Sequence, residues 1–250
     1  MIKFVFLDLD GILVDFNKGV HAAHSRPDVY TISPDNNGLY GLAKIWGIPK
    51  KDFWEPTQQP GFWESLDKTP EADDIVNYCC EQYGGGNICI LTSPSLHMAC
   101  IPEKRTWMQK HYPHLAKNML FGSEKKFLAG PDRMLIDDKN ENVDSFSAHG
   151  GLGLLYPRPW NRLHSKQMKR FDYRELMKAN RMIGTVKYGF NLGGRFVHPD
   201  TQVEILRADD PNLLEYFPNI SIIEGSKQVA VQFDFLNHPT IIHESQIEFD

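Results

Sequence analysis

The chain is poor in cysteine, in long apolar runs and in repeated or low-complexity tracts, and each shortage excludes a class of protein. Its four cysteines, Cys79, Cys80, Cys89 and Cys100, cluster in one third of the 250 residues and never take CxxC spacing. That argues against a zinc site or a disulfide framework and for reduced thiols in a cytoplasmic protein. No apolar run approaches the ~20 residues that span a bilayer, so no membrane partner is expected. The opening residues, MIKFVFLDLD, lack the basic-then-apolar order of a secretion signal and read instead as a first strand. No GxSxG elbow surrounds Ser93 or Ser95, which removes a serine hydrolase. The glycines of GGLGLLY (150–156) are followed by YPRPWN rather than by the helix that a nucleotide loop requires.

What is present is an ordinary globular balance, 41% hydrophobic and 24% charged, with a net charge of -5 that is spread unevenly. From Tyr156 to Lys187 there are nine basic residues against two acidic ones, and from Tyr188 onward three against ten. A basic segment of this kind can meet nucleic acid, but the favoured reading is a solvated helical connector facing acidic surfaces of its own chain.

Three short apolar runs, 2–7, 87–92 and 133–137, lack the alternation of half-exposed strands and read as buried parallel strands, with 150–156 as a further one. Helical stretches at 70–82 and 103–111 separate them, which predicts an α/β, doubly wound parallel sheet. The aromatic- and proline-rich stretch of about 16–75 is too long for a simple crossover and should form a small helical cap. Asp172 and Glu175 have capping-box spacing, so a helix should run to about Asn180. The predicted organisation is a core over 1–165, a basic helical connector over 166–183 and a small β-barrel-like, SH3-like domain over 184–250.

The stretch FVFLDLDGILVD raises the chemical question, because Asp8 and Asp10 close the first strand one residue apart. Like charges about 4 Å apart repel by roughly 4 kcal/mol at an effective dielectric near 20. Ligands of open α/β sheets bind beyond the carboxyl ends of the strands. There Asp8 and Asp10 would meet Thr92 and Ser93 from the second strand and Asp137 and Asp138 from the third. A hard divalent cation with oxygen ligands would offset the repulsion, and Mg²⁺ is usual where phosphates bind.

DLDGILVD, ILTS and LIDD resemble motifs of the haloacid dehalogenase superfamily of phosphohydrolases, whose sheet is Rossmannoid. With PGFWESLDKTPEADDIV and EKRTWMQKHY, in order and spacing, they are similar to the 5'(3')-deoxyribonucleotidases over roughly residues 1–165. The resemblance implies that Asp8 attacks phosphorus, that Asp10 is the general acid and base, and that Thr92 holds phosphoryl oxygens. It implies that Asp8, the Asp10 carbonyl and the Asp137/Asp138 pair carry Mg²⁺, and that a lysine neutralises the transferring group. For that lysine, Lys125 fits the position after an acid, while Lys126 keeps the family's distance to Asp132; the reading leans to Lys126 and leaves its neighbour as a surface charge. Phe16, Phe62 and Trp63 match aromatics that stack on or line the base pocket, and can equally pack the cap. Ser93 and Lys139 are further substrate-side candidates, Lys139 being equally a loop lysine.

Several relatives carry a lysine two residues beyond the proline of TSP, where this chain has Leu96. From the residues alone Glu103 and Lys104 could merely open a helix, and Trp46, Trp54, Trp107 and Trp160 read as core. His21 and His24 could share a helical face but lack a third ligand, and His97, His111 and His114 read as surface or packing residues.

The expected function is a Mg²⁺-dependent phosphomonoesterase acting on nucleoside monophosphates, deoxyribonucleotides foremost, through an aspartyl-phosphate. The alternatives are a superfamily phosphatase for another phosphoester, such as a sugar phosphate or a nucleic-acid end, and a binding module with vestigial activity. The expected partner is a small nucleotide, with nucleic acid not favoured and the C-terminal β domain a candidate surface for homo-oligomers.

Overall fold

The computed structural model describes residues 2–166, 168, 170–180 and seven strands between 182 and 249. Two compact units divide at Ala179 and Asn180.

The first unit is built on five strands: β1 (Phe4–Leu7), β2 (Ile88–Thr92), β3 (Met119–Phe121), β4 (Arg133–Asp137) and β5 (Leu152–Leu155). They pair in the order β3-β2-β1-β4-β5, all parallel. Successive connections run outward from β1 in both directions, so the chain reverses its winding beside β1 and opens a crevice at that strand's carboxyl end. The near-continuous apolar character of β1 follows from burial on both faces. Val5 and Leu7 share a core with Ile75, Val76 and Cys79 of α5 (Ala72–Tyr83) and Trp107 and Met108 of α6 (Cys100–His111). Phe6 faces the other way, with Leu91, Leu135 and Phe146 of α7 (Asn140–Ala148). Strand β3 answers to no run singled out in the sequence; three partly exposed edge residues carry too little pattern.

The cap leaves and rejoins the core through a narrow neck. The amide of Asp15 donates to the Asp67 carbonyl (2.9 Å), Thr69 N–H donates to Leu13 O (2.9 Å), and Val14 pairs with Lys68. The insertion therefore closes at residue 68, earlier than the expected 75. Its short helices, α1 (Phe16–Ala23), α2 (Val29–Ile32), α3 (Leu42–Ile45) and α4 (Lys50–Trp54), bury Val20, Val29, Tyr30, Leu42 and Phe53 together. Asp15 caps α1, its Oδ1 accepting from Lys18 N–H at 3.1 Å. His21 Nδ1 bonds the Asn17 carbonyl, His24 Nε2 bonds the Phe53 carbonyl, and both rings lie against Trp46. The histidine pair thus belongs to the cap's packing.

Asp172 caps α8 (Tyr173–Ala179), accepting from the amides of Arg174 (2.8 Å) and Glu175 (3.2 Å). Leu176 and Phe171 are buried in the main core, so residues 171–179 of the stretch expected to be a solvated connector belong to the first unit. The second unit contains β6 (Met182–Val186), β7 (Phe190–Leu192), β8 (Arg195–Val197), β9 (Gln202–Leu206), β10 (Gln228–Gln232), β11 (Thr240–His243) and β12 (Ile247–Phe249). Five form an antiparallel sheet, β11-β10-β9-β6-β12, and β7 pairs with β8. The expected β-rich character is present; closure into an SH3-like barrel depends on segments outside the described residues.

Candidate active site

The acidic strand ends meet. Asp8 follows β1, Asp137 ends β4 and Asp138 follows it; all three are buried, and each offers a carboxylate oxygen within 4.8 Å of the others. Gly11 is what allows this. Its φ is +79°, and a Cβ there would lie 2.3 Å from Asp138 Oδ2, so only glycine serves both the turn and the close approach. Burial, reinforced by the charges of Asp137 and Asp10 against the opposing pull of Lys125, pushes the Asp8 carboxyl up to about 7. Burial, reinforced by Asp137 and Asp8, raises Asp138 well above the usual carboxylate range.

Two buried lysines serve this cluster. Lys125 Nζ lies 2.8 Å from Asp8 Oδ1 and 2.6 Å from Asp137 Oδ2. Burial works against its charge, but the two carboxylates prevail and hold the amine above its ordinary value. Lys126 instead pairs with Glu124 at 3.0 Å and lies over the Phe127 ring, at the cavity margin. The lean toward Lys126 is thereby corrected in placement: the short 3-10 turn over Lys125–Leu128 turns the first lysine inward and leaves the second partly exposed.

The second amine is Lys104, which sequence reasoning left as a helix opener. It is 2% exposed, and its Nζ donates to Asp10 Oδ2 (2.5 Å), Thr92 Oγ1 (2.9 Å) and the Ser93 carbonyl (3.2 Å). Its neighbour Glu103 accepts the amides of Gly61 (2.8 Å) and Trp63 (3.0 Å), so one step of α6 serves the strand ends and the cap together. The available signal was the Glu-Lys pair inside a segment shared with the family; spacing alone could not say where it pointed.

Asp137 differs from its neighbour Asp138. Its Oδ1 accepts from Lys139 N–H (2.9 Å) and Asn142 Nδ2 (3.1 Å), and its Oδ2 from Lys125 and from Asn142 (3.0 Å). Asp138 lines the cavity; its Oδ2 accepts from Trp160 Nε1 at 2.5 Å, and no described residue donates to its Oδ1.

A cavity of about 760 Å³ lies between the sheet end and the cap. Asp8, Asp10, Ser93, Lys125, Lys139 and Asp138 line its floor and rim, and Phe16, Trp54 and Trp63 form an aromatic wall. Phe16 stacks on Trp63, with centroids 5.4 Å apart and planes 11° from parallel. Phe62 is corrected: it lies outside the lining, packed edge-on against Phe16 and Trp63. Trp54 and Trp160, read as core, line the cavity, whereas Trp107 is fully buried with its indole N–H donating to Leu66 O. Lys139 holds its amine 5.2 Å from the centre of the Tyr40 ring of the cap. Leu96 is fully exposed, and no helix among the described residues is long and apolar enough to cross a membrane.

The sequence is similar to a human cytosolic-type 5'(3')-deoxyribonucleotidase, 26% identical over 144 residues that cover 54% of this chain and 70% of that one. A putative 5'(3')-deoxyribonucleotidase of Bordetella pertussis is 25% identical over 174 residues, 68% of this chain and 91% of that one. A solved haloacid dehalogenase-like hydrolase from Streptococcus pneumoniae covers 71% of this chain and 96% of its own at 14% identity and a TM-score of 0.45, too loose a likeness to carry weight. The model of one family, described as 5' nucleotidase, deoxy (pyrimidine), cytosolic type C protein (NT5C), matches residues 1–186. The chain therefore belongs to that deoxynucleotidase family and is a phosphoric monoester hydrolase of the 5'-nucleotidase type.

Proposed function

We propose that the cavity hydrolyses nucleoside monophosphates, deoxyribonucleotides foremost, with Mg²⁺ and through an aspartyl-phosphate on Asp8. The observation that carries this reading is the pair of buried amines, Lys125 on Asp8 and Asp137, Lys104 on Asp10 and Thr92, set against Asp8 and Asp10 where these line an aromatic-walled cavity.

The donor set fits a divalent cation. Of three buried carboxylates gathered at one point only Asp8 and Asp137 pair with an amine, Lys125, and burial together with mutual repulsion raises Asp8 and Asp138. Asp8 and Asp138 would hold the ion with the Asp10 main-chain carbonyl, since the oxygens of Asp137 are already taken by Lys125, Asn142 and an amide. When bound, Mg²⁺ would orient the phosphate and neutralise part of its charge.

The remaining work falls to side chains. Leu9 N–H (2.7 Å) and Lys125 both bond Asp8 Oδ1, which fixes the rotation of the carboxylate. An Asp8 oxygen forms the bond to phosphorus as the bond from phosphorus to the sugar oxygen breaks. Asp10 is suited to pass that oxygen a proton: Lys104 holds its Oδ2, while its Oδ1 is buried without a partner. The same carboxylate then takes a proton from the water that attacks the aspartyl-phosphate, returning Asp8 and releasing phosphate. Lys104 also fixes the Thr92 hydroxyl, which would serve phosphoryl oxygens, and Ser93 and Lys139 border the cavity. Phe16, backed by the buried Trp63, and Trp54 offer apolar surface for the nucleoside; stacking of this kind is worth about 1–3 kcal/mol per base and tolerates any base.

Phosphate release from nucleoside 5'-, 3'- and 2'-monophosphates, with and without Mg²⁺, tests the reading. Metal-dependent turnover of at least one series is expected, and it should vanish in Asp8→Asn. Sugar phosphates or 3'-phosphorylated oligonucleotides hydrolysed in preference to every nucleotide would transfer the site to another phosphoester.

A further inference from the structure

The stretch YPRPWN, which displaces a nucleotide-loop reading in the sequence, lies against the acidic cluster. Tyr156 N–H donates to Asp137 O (2.8 Å), extending the β4–β5 pairing by one residue. Pro157 and Pro159 then restrict the backbone, and the Asn161 side chain ties the turn by accepting the amides of Arg158 (3.4 Å) and Leu163 (3.0 Å). Three side chains of this turn reach three parts of the site. Arg158 Nε donates to the Gly11 carbonyl at 2.7 Å, with its Nη2 3.2 Å from Glu71 Oε2. Asn161 Nδ2 donates to the Asp138 carbonyl (2.9 Å) and to Tyr156 O (2.8 Å). Trp160 Nε1 donates to Asp138 Oδ2.

We propose that Trp160 is a positioning residue for the divalent cation: its indole N–H fixes the Asp138 carboxylate so that the other oxygen, Oδ1, is presented to the ion, while Arg158 and Asn161 hold the backbone on both sides. The inference rests on Asp8 and Asp138 being cation ligands. A carboxylate free to rotate must be ordered at the moment of binding, whereas one held by a hydrogen bond is already oriented; loss of such outer-sphere partners typically costs 10–100-fold in metal affinity. The indole is suited to this role because it is a donor only and cannot itself compete as a ligand. Its ring also leans on Tyr30 of the cap (5.7 Å between centroids), which keeps it from swinging into the cavity.

Titration of the full chain with MgCl₂, without nucleotide, by calorimetry and tryptophan emission tests this. Wild type should bind Mg²⁺ with a change in emission. Trp160→Phe should bind about tenfold more weakly or worse, with that emission change lost although the other tryptophans remain. Trp160→His, which keeps a ring N–H, should recover part of the affinity; a His variant as weak as the Phe variant overturns the hydrogen bond as the cause. Equal Mg²⁺ affinity in Trp160→Phe and wild type overturns the positioning role and leaves the proposed function standing. Wild type that binds no Mg²⁺ overturns both. Should Trp160→Phe fail to fold, wild-type emission that stays flat while calorimetry records binding also overturns the role.

Discussion

The floor and the wall of the cavity are built by different means. The floor rests on strand ends: Asp8, which lines the cavity, and the fully buried Thr92 and Asp137 sit where they do because β1, β2 and β4 are in parallel register, Val5 opposite both Ile88 and Met134. Buried ionic contacts leave these groups little freedom. The wall is made of rings on short cap helices and 3-10 turns, packed on one another and tied to the core through the neck at Val14 and Lys68 and through Glu103. Precision therefore belongs to the sheet, where the proposed chemistry takes place, and adaptable apolar surface belongs to the cap. Damage to the floor should lower kcat, and damage to the wall should raise KM.

The largest effect should come from the proposed nucleophile: Asp8→Asn is expected to cut phosphate release by about 10⁴-fold or more with KM little changed. Next, removing either buried amine leaves carboxylates unpaired and a developing charge unmet. Lys104→Met and Lys125→Met should each lower kcat by roughly 10²–10³-fold, in the range of losing one preorganised electrostatic donor. Lys126→Met should stay within about twofold, and steady-state kinetics on the three variants together sharpen the assignment; a severe Lys126 defect beside a mild Lys125 one would reverse it. On the wall, Phe16→Ala should raise KM roughly 5- to 100-fold, the equivalent of about 1–3 kcal/mol of stacking, with kcat changed far less. A fall in kcat alone would break the division of labour.

The smallest effect is a linkage. In the folded, metal-free protein the Asp8 carboxyl is pushed up from 3.8 to about 7, so the fold binds a proton that the unfolded chain has already released. That contribution to stability is complete below about pH 3.8 and is lost as pH rises through 7. A cation takes the proton's place, so the gain in Tm from Mg²⁺ should be larger at pH 8 than at pH 6, by a few degrees, about the shift that 1 kcal/mol gives in a domain of this size. Thermal unfolding at both pH values, with and without Mg²⁺, measures it; equal gains would remove Asp8 from the ion's ligands.

Much of the floor is legible in the order of residues along the chain. Apolar runs ending in Asp8, Thr92 and Asp137 announce buried strands, and parallel strands in one sheet bring their carboxyl ends to one edge. The lysines are not legible in this way. Lys125 and Lys126 are adjacent and chemically identical, and only the local 3-10 turn decides which points inward. Lys104 lies on a helix whose pattern gives no reason to bury an amine. Phe62 and Trp63 pose the same difficulty: one ring faces the cavity and its neighbour faces packing. Trp160 reads as core because tryptophan usually is, and its partner, Asp138, is far away in sequence.

By itself the sequence determined the parallel α/β core, the insertion after the first strand and the convergence of its acids, because hydrophobic period and strand polarity are local properties that topology merely sums. Tertiary structure alone decided which amine neutralises which carboxylate, which aromatic faces the cavity and how the turn at 158–161 holds Asp138. Those choices depend on the direction of a side chain between elements distant in sequence, and a one-residue change of direction leaves composition, spacing and periodicity untouched.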